Sequence, residues 1–543
     1  MDQRLSELSE ALSRRPADAW RKAGYWGQAP LWERVREAAR RDPERLLVID
    51  NAGEWTAGEL WAQARRVAGA LAANGVGKGD LVLVQLPNWR EYVALVVGVE
   101  AAGAVFGFCP ASWGVRETAR AIDLIKPRAW FIGPGREASR DDYVWQCLSA
   151  VAAPPQVVGV RLATSPALTS FEAWLGYDES PEPTAGGRGS DPVEVAVTSG
   201  TTGAPKGVVH VHDSALATVQ STIVRQQIGP DDTILVGIPV GHTFGYFYGV
   251  RCALQSGARL VLQERWDAEE AVALTERWRA TVSLGPAACV IDLLGLPEAQ
   301  RQRLRSMRLF TQSGDALPRP VAERAATQLP FRISRALGMT EFGHVASTDA
   351  QSEAERVFDS AGSPQPGISI EIRDAEGRTL PRGEAGRVLV SGPFLFAGYL
   401  HPARLDAEVL DADGFFETGD LGWLGEDGYL HITGREKNVI RRGAVTVPVA
   451  EVEDTIAAHP DVAHAVVIAR ADERLGEVPV ACVQMIAGRA PLGLEELKAH
   501  LAELGMTRSF WPEGVLVVET WPIGATAKID RRALLELVQK AGI

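Results

Sequence analysis

The chain has 543 residues, 46% hydrophobic and 23% charged, which is ordinary for a globular protein and excludes a peptide, a zinc finger or a small disulfide scaffold. At about 150 residues per domain this length makes roughly three or four domain-sized units. Asp and Glu (69) outnumber Lys and Arg (56), leaving a formal charge of −13; an acidic surface of this kind repels a polyanion, so no nucleic acid partner is expected.

The N-terminal stretch MDQRLSELSEALSRRPADAW mixes acids, bases and polar residues and has no continuous apolar core, so export is not predicted. The most apolar run, Tyr92 to Trp113, is interrupted by Glu100 and carries several glycines. It falls short of a membrane span and reads as a buried helix leading into a strand. Cys109, Cys147, Cys252, Cys289 and Cys482 are odd in number, far apart and never in a C-x-x-C pair. Neither disulfides nor zinc is signalled, and a reducing cytoplasm is the expected compartment.

From Leu31 to Phe358, β-rich runs alternate with amphipathic or Ala-rich segments, the pattern of sheets covered by helices. DLVLVQ (80–85) predicts a strand and Glu91–Ala102 its helix; ARLVLQ (258–263) and Ala268–Trp278 repeat the unit. SPEPTAGGRGS, between Glu179 and Asp191, predicts a surface connection before a strand at Val193–Val197. After Gly367 the texture changes to close-spaced strands with turn signals, SIEIRDAEGRT and GRVLVSGP, which predict hairpins. The last hundred or so residues alternate again, with strands at 462–469 and 479–485 and helices at 495–502 and 531–539, enough for a small α+β domain. The expected fold class is therefore α/β: a large N-terminal body of layered α/β subdomains plus a β-rich subdomain, followed by a small mobile C-terminal α+β domain. The expected boundaries are 1–433 for the body, 434–438 for a hinge and 439–543 for the C-terminal domain. There is no internal repeat and no low-complexity tract.

The most informative segment is VTSGTTGAPKGVVH, Val197 to His210, where a β-rich run empties into a loop of small, hydroxyl-bearing residues around one lysine. Gly200, Gly203 and Gly207 let the backbone approach an anion closely; Ser199, Thr201 and Thr202 add hydroxyl donors and Lys206 adds charge. This composition handles phosphate. It is not a Walker A loop, which requires Ser or Thr after the lysine, where this chain has Gly207.

SGTTGAPKG resembles the signature loop of the adenylate-forming superfamily of acyl-CoA synthetases, nonribosomal adenylation domains and luciferases. Further motifs follow in that family's order: LGMTEFG (337–343), FFETGDLG (415–422), YLHITGREKNVIRRG (429–443) and ATAKID (525–530). The resemblance spans essentially the whole chain and implies an enzyme that joins a carboxylate to the α-phosphate of ATP, with Mg²⁺, releasing pyrophosphate.

By this resemblance Lys528 is the catalytic cation of adenylation, countering the charge that develops between two anions. Thr340 offers a hydroxyl to the phosphates and Glu341 a hard carboxylate oxygen to the metal. The nucleotide is held by Thr198, Ser199, Gly200, Thr201, Thr202, Gly203 and Lys206, by Gly314, Asp315 and Ala316, and by Leu337, Gly338 and Met339. Asp420 accepts from the ribose hydroxyls, with Arg435 at the same nucleotide, and Lys437 is the hinge residue. His242 stands at the mouth of the acid pocket, formed with Thr243, Phe244, Gly245, Leu284 and Gly285. His210 and His212 have no third ligand nearby and read as structural. The chain departs from the family pattern in having Leu337 where an aromatic residue is common, Ala527 for a glycine and Gly524 for a threonine.

WRKAGYW near the front and MTRSFWPEGVLVVE near the end look like the branch that activates aryl and alicyclic acids, which implies a compact aryl, alicyclic or short to medium acyl substrate. The acceptor tunnel is expected at Gly443 and Ala444, within RGAVT, where CoA-using members often have RGGEN. CoA is the expected acceptor; a carrier-protein thiol or an amine, as in the amide-forming members, stays open. The opposing class is a degenerate relative that keeps the fold as a non-catalytic binding protein, and luciferase-type oxidation has no positive support in the sequence.

Overall fold

A computed structural model describes residues 4–5, 7–8, 16–135, 139–149, 151–176, 187, 189–199, 205–349, 352–400, 410–436, 440–442, 445–472, 475–524 and 528–543. The strand expected at 80–85 is Leu81–Gln85, parallel to Val105–Phe108 on one side and Ala129–Ile132 on the other. Every residue of LVLVQ is buried. Val82 and Val84 enter one apolar cluster and Leu81 and Leu83 another, so both sheet faces are covered, which is why the run is continuous rather than alternating.

This strand belongs to an eight-stranded sheet in the order Gly398–Tyr399, Pro205–Val211, Pro192–Ser199, Val105–Phe108, Leu81–Gln85, Ala129–Ile132, Gln156–Gly159 and Thr169–Ser170. A second sheet has nine strands, ordered Ser363–Pro364, Gly343–Ser347, Arg332–Met339, Leu309–Ser313, Val282–Gly285, Thr233–Val236, Arg259–Leu262, Leu46–Asp50 and Gly53–Thr56. The main core lies between them: the cluster that holds Val82 and Val84 also holds Ile234 and Val236 of the second sheet. Helix Arg90–Ala101 fills that layer, and everything from Tyr92 to Ala101 is buried. The apolar run at 92–113 is thus a buried helix and the strand Val105–Phe108, as expected. Among the described residues no helix is long and apolar enough to cross a membrane.

The segment after Val193 differs from its expected form. Rather than one strand opening into a loop, Pro192–Ser199 pairs antiparallel with Pro205–Val211, with Thr198 opposite Lys206. The β-branched residues of KGVVHV after the lysine favour this second strand, so the glycine-rich stretch joins the two arms of a hairpin. Residues 200–204 of that stretch lie outside the described residues, as does most of the 180–190 connection.

The hairpins expected after Gly367 form a four-stranded sheet of Ser369–Arg373, Gly386–Ser391, Phe416–Leu424 and Leu430–Arg435, each antiparallel to the next. From Ile440 onward the chain has its own core. Val462–Asp472 and Gly476–Met485 pair antiparallel, with helices Val449–Ala457, Leu494–Glu503 and Arg531–Lys540 around them. Two apolar clusters consist only of residues from Ile440 on, whereas the fully buried members of the body's main cluster end at Leu430. The C-terminal unit meets the body at helix Arg319–Gln328: Arg319 N–H donates to Asp454 Oδ1 at 3.4 Å, and the Arg324 guanidinium donates to the carbonyls of Val462 and Ala463 at 3.4 and 3.3 Å.

Candidate active site

A cavity of about 230 Å³ opens where the two large sheets, the hairpin sheet and the C-terminal unit converge. Thr198, from the hairpin arm Pro192–Ser199, is on its wall. Opposite Thr198, Lys206 places its ammonium 4.9 Å from the centre of the Tyr399 ring. The Tyr399 hydroxyl in turn donates to Glu341 Oε1 at 2.7 Å. Burial, reinforced by the Glu341 carboxylate, pushes the Tyr399 pKa up, so it stays a neutral donor.

Thr340 and Glu341 follow the strand Arg332–Met339 and line the cavity. Their backbone is gripped from both sides: His210 Nε2 sits 2.7 Å from the Thr340 carbonyl and Phe396 N–H donates to the Glu341 carbonyl at 2.8 Å. The Thr243 hydroxyl donates to Thr340 Oγ1 at 3.2 Å. His210 thus has the structural role expected of it, and His212 faces Glu100 in the interior at 3.2 Å.

His242 ends the turn after Pro239 and caps a short helix, Thr243–Gly245, which runs into a π-helical turn, Tyr246–Arg251. Such turns recur at functional sites. Its Nδ1 accepts from Phe244 N–H at 3.3 Å, which leaves the ring proton on Nε2. Burial, and then the nearby Lys528 charge, push the His242 pKa down to about 3, so the imidazole is neutral.

Lys528 arrives from the far end of the sequence, held by a 2.7 Å hydrogen bond from Gly524 N–H to its carbonyl. Its side chain lies over Gly314 and lines the same cavity as His242. Burial lowers its pKa; the Asp315 and Asp420 carboxylates oppose that fall while Arg435 adds to it. Asp420, on Phe416–Leu424, is 3% exposed and pairs across the strands with Arg435, whose Nε donates to Oδ1 at 2.8 Å. Burial raises the Asp420 pKa and the Arg435 charge opposes the rise.

Of the residues expected at the site, the cavity wall brings together Thr198, His242, Thr243, Phe244, Gly314, Gly338, Met339, Thr340, Glu341, Arg435 and Lys528. Asp315 is turned to local use: its Oδ1 accepts from Ala287 N–H at 2.9 Å and from the Gln312 amide at 3.0 Å, with its pKa raised to about 6 by burial. Ala316 is exposed, Leu337 packs against the main core, and Gly245, Leu284 and Gly285 are buried in the helix and strand behind the wall. Gly200, Thr201, Thr202, Gly203, Lys437, Gly443, Ala444 and the Ser199 side chain lie outside what is described. Sequence reasoning missed Phe108, Trp113, Gly241, Tyr248 and His344 on the wall, and Tyr399 behind it. Phe108 and Trp113 had a signal, since the carboxyl ends of parallel strands are where such sheets bind ligands.

The residues fit a magnesium–nucleotide. Mg²⁺ favours one or two carboxylates together with phosphate oxygens and water, and Glu341 brings one carboxylate to a wall that also carries Lys528 and Arg435. Among the described residues no group of three or more His, Cys, Asp or Glu is placed to hold a metal by protein ligands alone.

A family model of AMP-binding enzymes matches residues 35–400, and that of the AMP-binding enzyme C-terminal domain matches residues 451–528. The chain belongs to the AMP-binding enzymes. It is 31% identical to a medium-chain fatty-acid–CoA ligase of Escherichia coli strain K12, covering 94% of this chain and 91% of that one. With a salicyl-AMP ligase/salicyl-S-ArCP synthetase of Mycobacterium tuberculosis it shares 30% identity over 96% of this chain and 93% of the other. Among solved structures it superimposes on the amide bond synthetase McbA from Marinactinospora thermotolerans with a TM-score of 0.82 and 27% identity, covering 93% of this chain and 99% of that one.

Proposed function

We propose that this AMP-forming ligase activates a compact carboxylic acid, aryl, alicyclic or short to medium acyl, as its acyl-adenylate and then passes the acyl group to an acceptor. The observation that carries the reading is the convergence of Lys528 with His242, Thr340, Glu341 and Arg435 on one cavity, although nearly three hundred residues separate the first two.

In this reading Asp420 accepts from the ribose hydroxyls with the carboxylate whose Oδ1 also accepts from Arg435. Thr198, Lys206 and the hairpin loop hold the phosphates, and Thr340 donates its hydroxyl to the same group. Magnesium, carried with ATP and held through Glu341, would supply charge to the phosphate oxygens. A carboxylate oxygen of the acid bonds to the α-phosphorus while the bond from that phosphorus to the β-phosphate bridging oxygen breaks, releasing pyrophosphate. Lys528 counters the negative charge gathering at the reacting phosphoryl, where a fixed cation in a dry site is worth most. Neutral His242 presents Nε2–H to the acid's carboxylate.

The acceptor then attacks the acyl carbon and AMP leaves with the pair of electrons from the acyl–oxygen bond. CoA is our first choice, as in the E. coli relative; the other two similar proteins name a carrier-protein product and an amide. For that second step we propose that the 439–543 unit turns about 434–438, through Lys437, and brings Gly443 and Ala444 to the acceptor. Five buried cysteines, none in a disulfide, suit a cytoplasmic setting. The test is acid-dependent ATP–pyrophosphate exchange over benzoates, alicyclic acids and short to medium chains, followed by product analysis with CoA or an amine. Absence of exchange with every acid sinks the adenylation; acid-dependent amide without thioester sinks the CoA assignment.

A further inference from the structure

The segment Phe396 to Leu400 runs between the hairpin arm Pro205–Val211 and the turn that carries Glu341, and its backbone is bonded to both. Leu400 N–H donates to the Gly207 carbonyl at 2.8 Å and Ala397 N–H to that of Val209 at 2.7 Å, while Phe396 N–H donates to the Glu341 carbonyl at 2.8 Å. Tyr399 stands opposite Val208 in this pairing. From there its side chain meets two charges at once: the hydroxyl donates to Glu341 Oε1 at 2.7 Å, and the Lys206 ammonium lies 4.9 Å from the ring centre.

Packing alone would be served by phenylalanine. Tyr399 is 2% exposed, belongs to the main apolar cluster and meets Phe396 edge-on at 4.9 Å. A hydroxyl in such surroundings costs free energy unless it is bonded, and the bond it makes goes to a carboxylate that lines the cavity. Lys206 belongs to the eight-stranded sheet, whereas Glu341 follows a strand of the nine-stranded one. The spacing between ammonium and carboxylate therefore depends on what bridges the two sheets, and Tyr399 touches both groups.

We propose that Tyr399 is the positioning residue of the metal–phosphate end of the site: its hydroxyl orients the Glu341 carboxylate for the magnesium carried with ATP, and its ring face fixes the Lys206 ammonium. This inference rests on the roles proposed above for Glu341 and Lys206. A hydrogen bond that orients a metal-binding carboxylate is worth about ten- to hundredfold in metal affinity. An ammonium held over an aromatic face gains about two- to thirtyfold.

The experiment separates metal from nucleotide in the full-length protein. Mn²⁺, which takes the same oxygen ligands as Mg²⁺, is titrated by electron paramagnetic resonance in the presence of a non-hydrolysable ATP analogue, and the analogue alone is titrated with divalent cations chelated. Tyr399→Phe keeps the ring under Lys206 and removes the donor to Glu341. It is expected to weaken Mn²⁺ about ten- to hundredfold and to leave metal-free analogue binding unchanged. In ATP–pyrophosphate exchange the same variant should need more Mg²⁺, recover its rate at excess Mg²⁺ and keep its KM for the acid. Tyr399→Leu, which removes the ring face as well, should also weaken the metal-free analogue about two- to thirtyfold; if it does not fold, the phenylalanine variant decides. Equal or tighter Mn²⁺ binding by Tyr399→Phe, or a uniform loss across metal, nucleotide and acid, makes Tyr399 a packing residue and overturns the proposal, while exchange by the natural protein leaves adenylation standing. No exchange with any acid, together with no binding of Mn²⁺ and the analogue by the natural protein, overturns adenylation and the Tyr399 assignment alike.

Discussion

Lys528 passes so closely over Gly314 that a Cβ built on the glycine would stand 3.1 Å from the lysine Cε and 3.6 Å from Nζ. Gly314 also has a φ of +98°, where an L side chain is strained by about 1–2 kcal/mol. Gly314→Ala should therefore act as an indirect lysine mutation, slowing pyrophosphate exchange by about tenfold or more with a small loss of melting temperature. Removing the cation itself in Lys528→Ala should cost about 10²–10³. Full exchange activity in Lys528→Ala would remove this lysine from the mechanism.

Because burial lowers the Lys528 pKa from its ordinary 10.5, its ammonium loses its proton at a lower pH than a solvated lysine. In the role proposed for Lys528 the protonated form is the one that counters phosphoryl charge, so kcat/KM for ATP should fall on an alkaline limb centred below 10.5. Asp315→Asn, which removes the largest influence holding that pKa up, should move the limb further down. Lys528→Arg should erase it, since a guanidinium does not titrate in this range. A limb that survives the arginine substitution belongs to another group.

The layers of this fold were legible where a segment's own residues dictate its environment. LVLVQ needs two apolar faces, and Val82 and Leu83 point to different clusters. Helix Ala268–Trp278 runs between the ends read from its sequence. What remained hidden was assembly between distant segments. Nothing in KGVVHV announces that it pairs back on Pro192–Ser199, and nothing in FAGYL announces that Tyr399 will bridge Lys206 and Glu341. Asp315 is placed at the nucleotide by motif alone; that its Oδ1 also accepts from Ala287 N–H and the Gln312 amide was not legible, because those donors come from its surroundings in the fold and a half-buried acid takes the nearest ones.

The pairing of Asp420 with Arg435 predicts a binding defect rather than a chemical one. Asp420→Asn removes the negative charge and one acceptor, which on the proposed role weakens the hold on ribose and frees the Arg435 guanidinium. KM for ATP should rise about ten- to hundredfold with a smaller change in kcat, the signature of binding shared by ground and transition states. Steady-state kinetics at saturating acid decide it. An unmoved KM would leave Asp420 as a strand residue that only positions Arg435.

Behind the cavity wall, Arg251 is fully buried with Nη1 3.1 Å from Glu194 and 3.7 Å from Glu100, and His212 is 3.2 Å from Glu100. The two carboxyls diverge. Burial raises Glu194 to about 7 despite Arg251; at Glu100 burial is outweighed by His212, Arg251 and the Leu31 N–H, and the pKa is lowered. Removing the shared cation in Arg251→Met should cost about 3–5 kcal/mol, because it strands buried acids. The pH dependence of Glu194 has a definite sign. Between its unfolded value of 4.5 and its folded value of about 7, the native state binds the extra proton, so the Glu194 contribution to stability falls as pH rises through that window. Glu194→Gln lacks this penalty. Urea unfolding at pH 5, 6.5 and 8 should show the variant gaining on the natural protein by on the order of 1–3 kcal/mol toward pH 8. Parallel stability curves would mean that Glu194 keeps an ordinary carboxylate pKa beside Arg251.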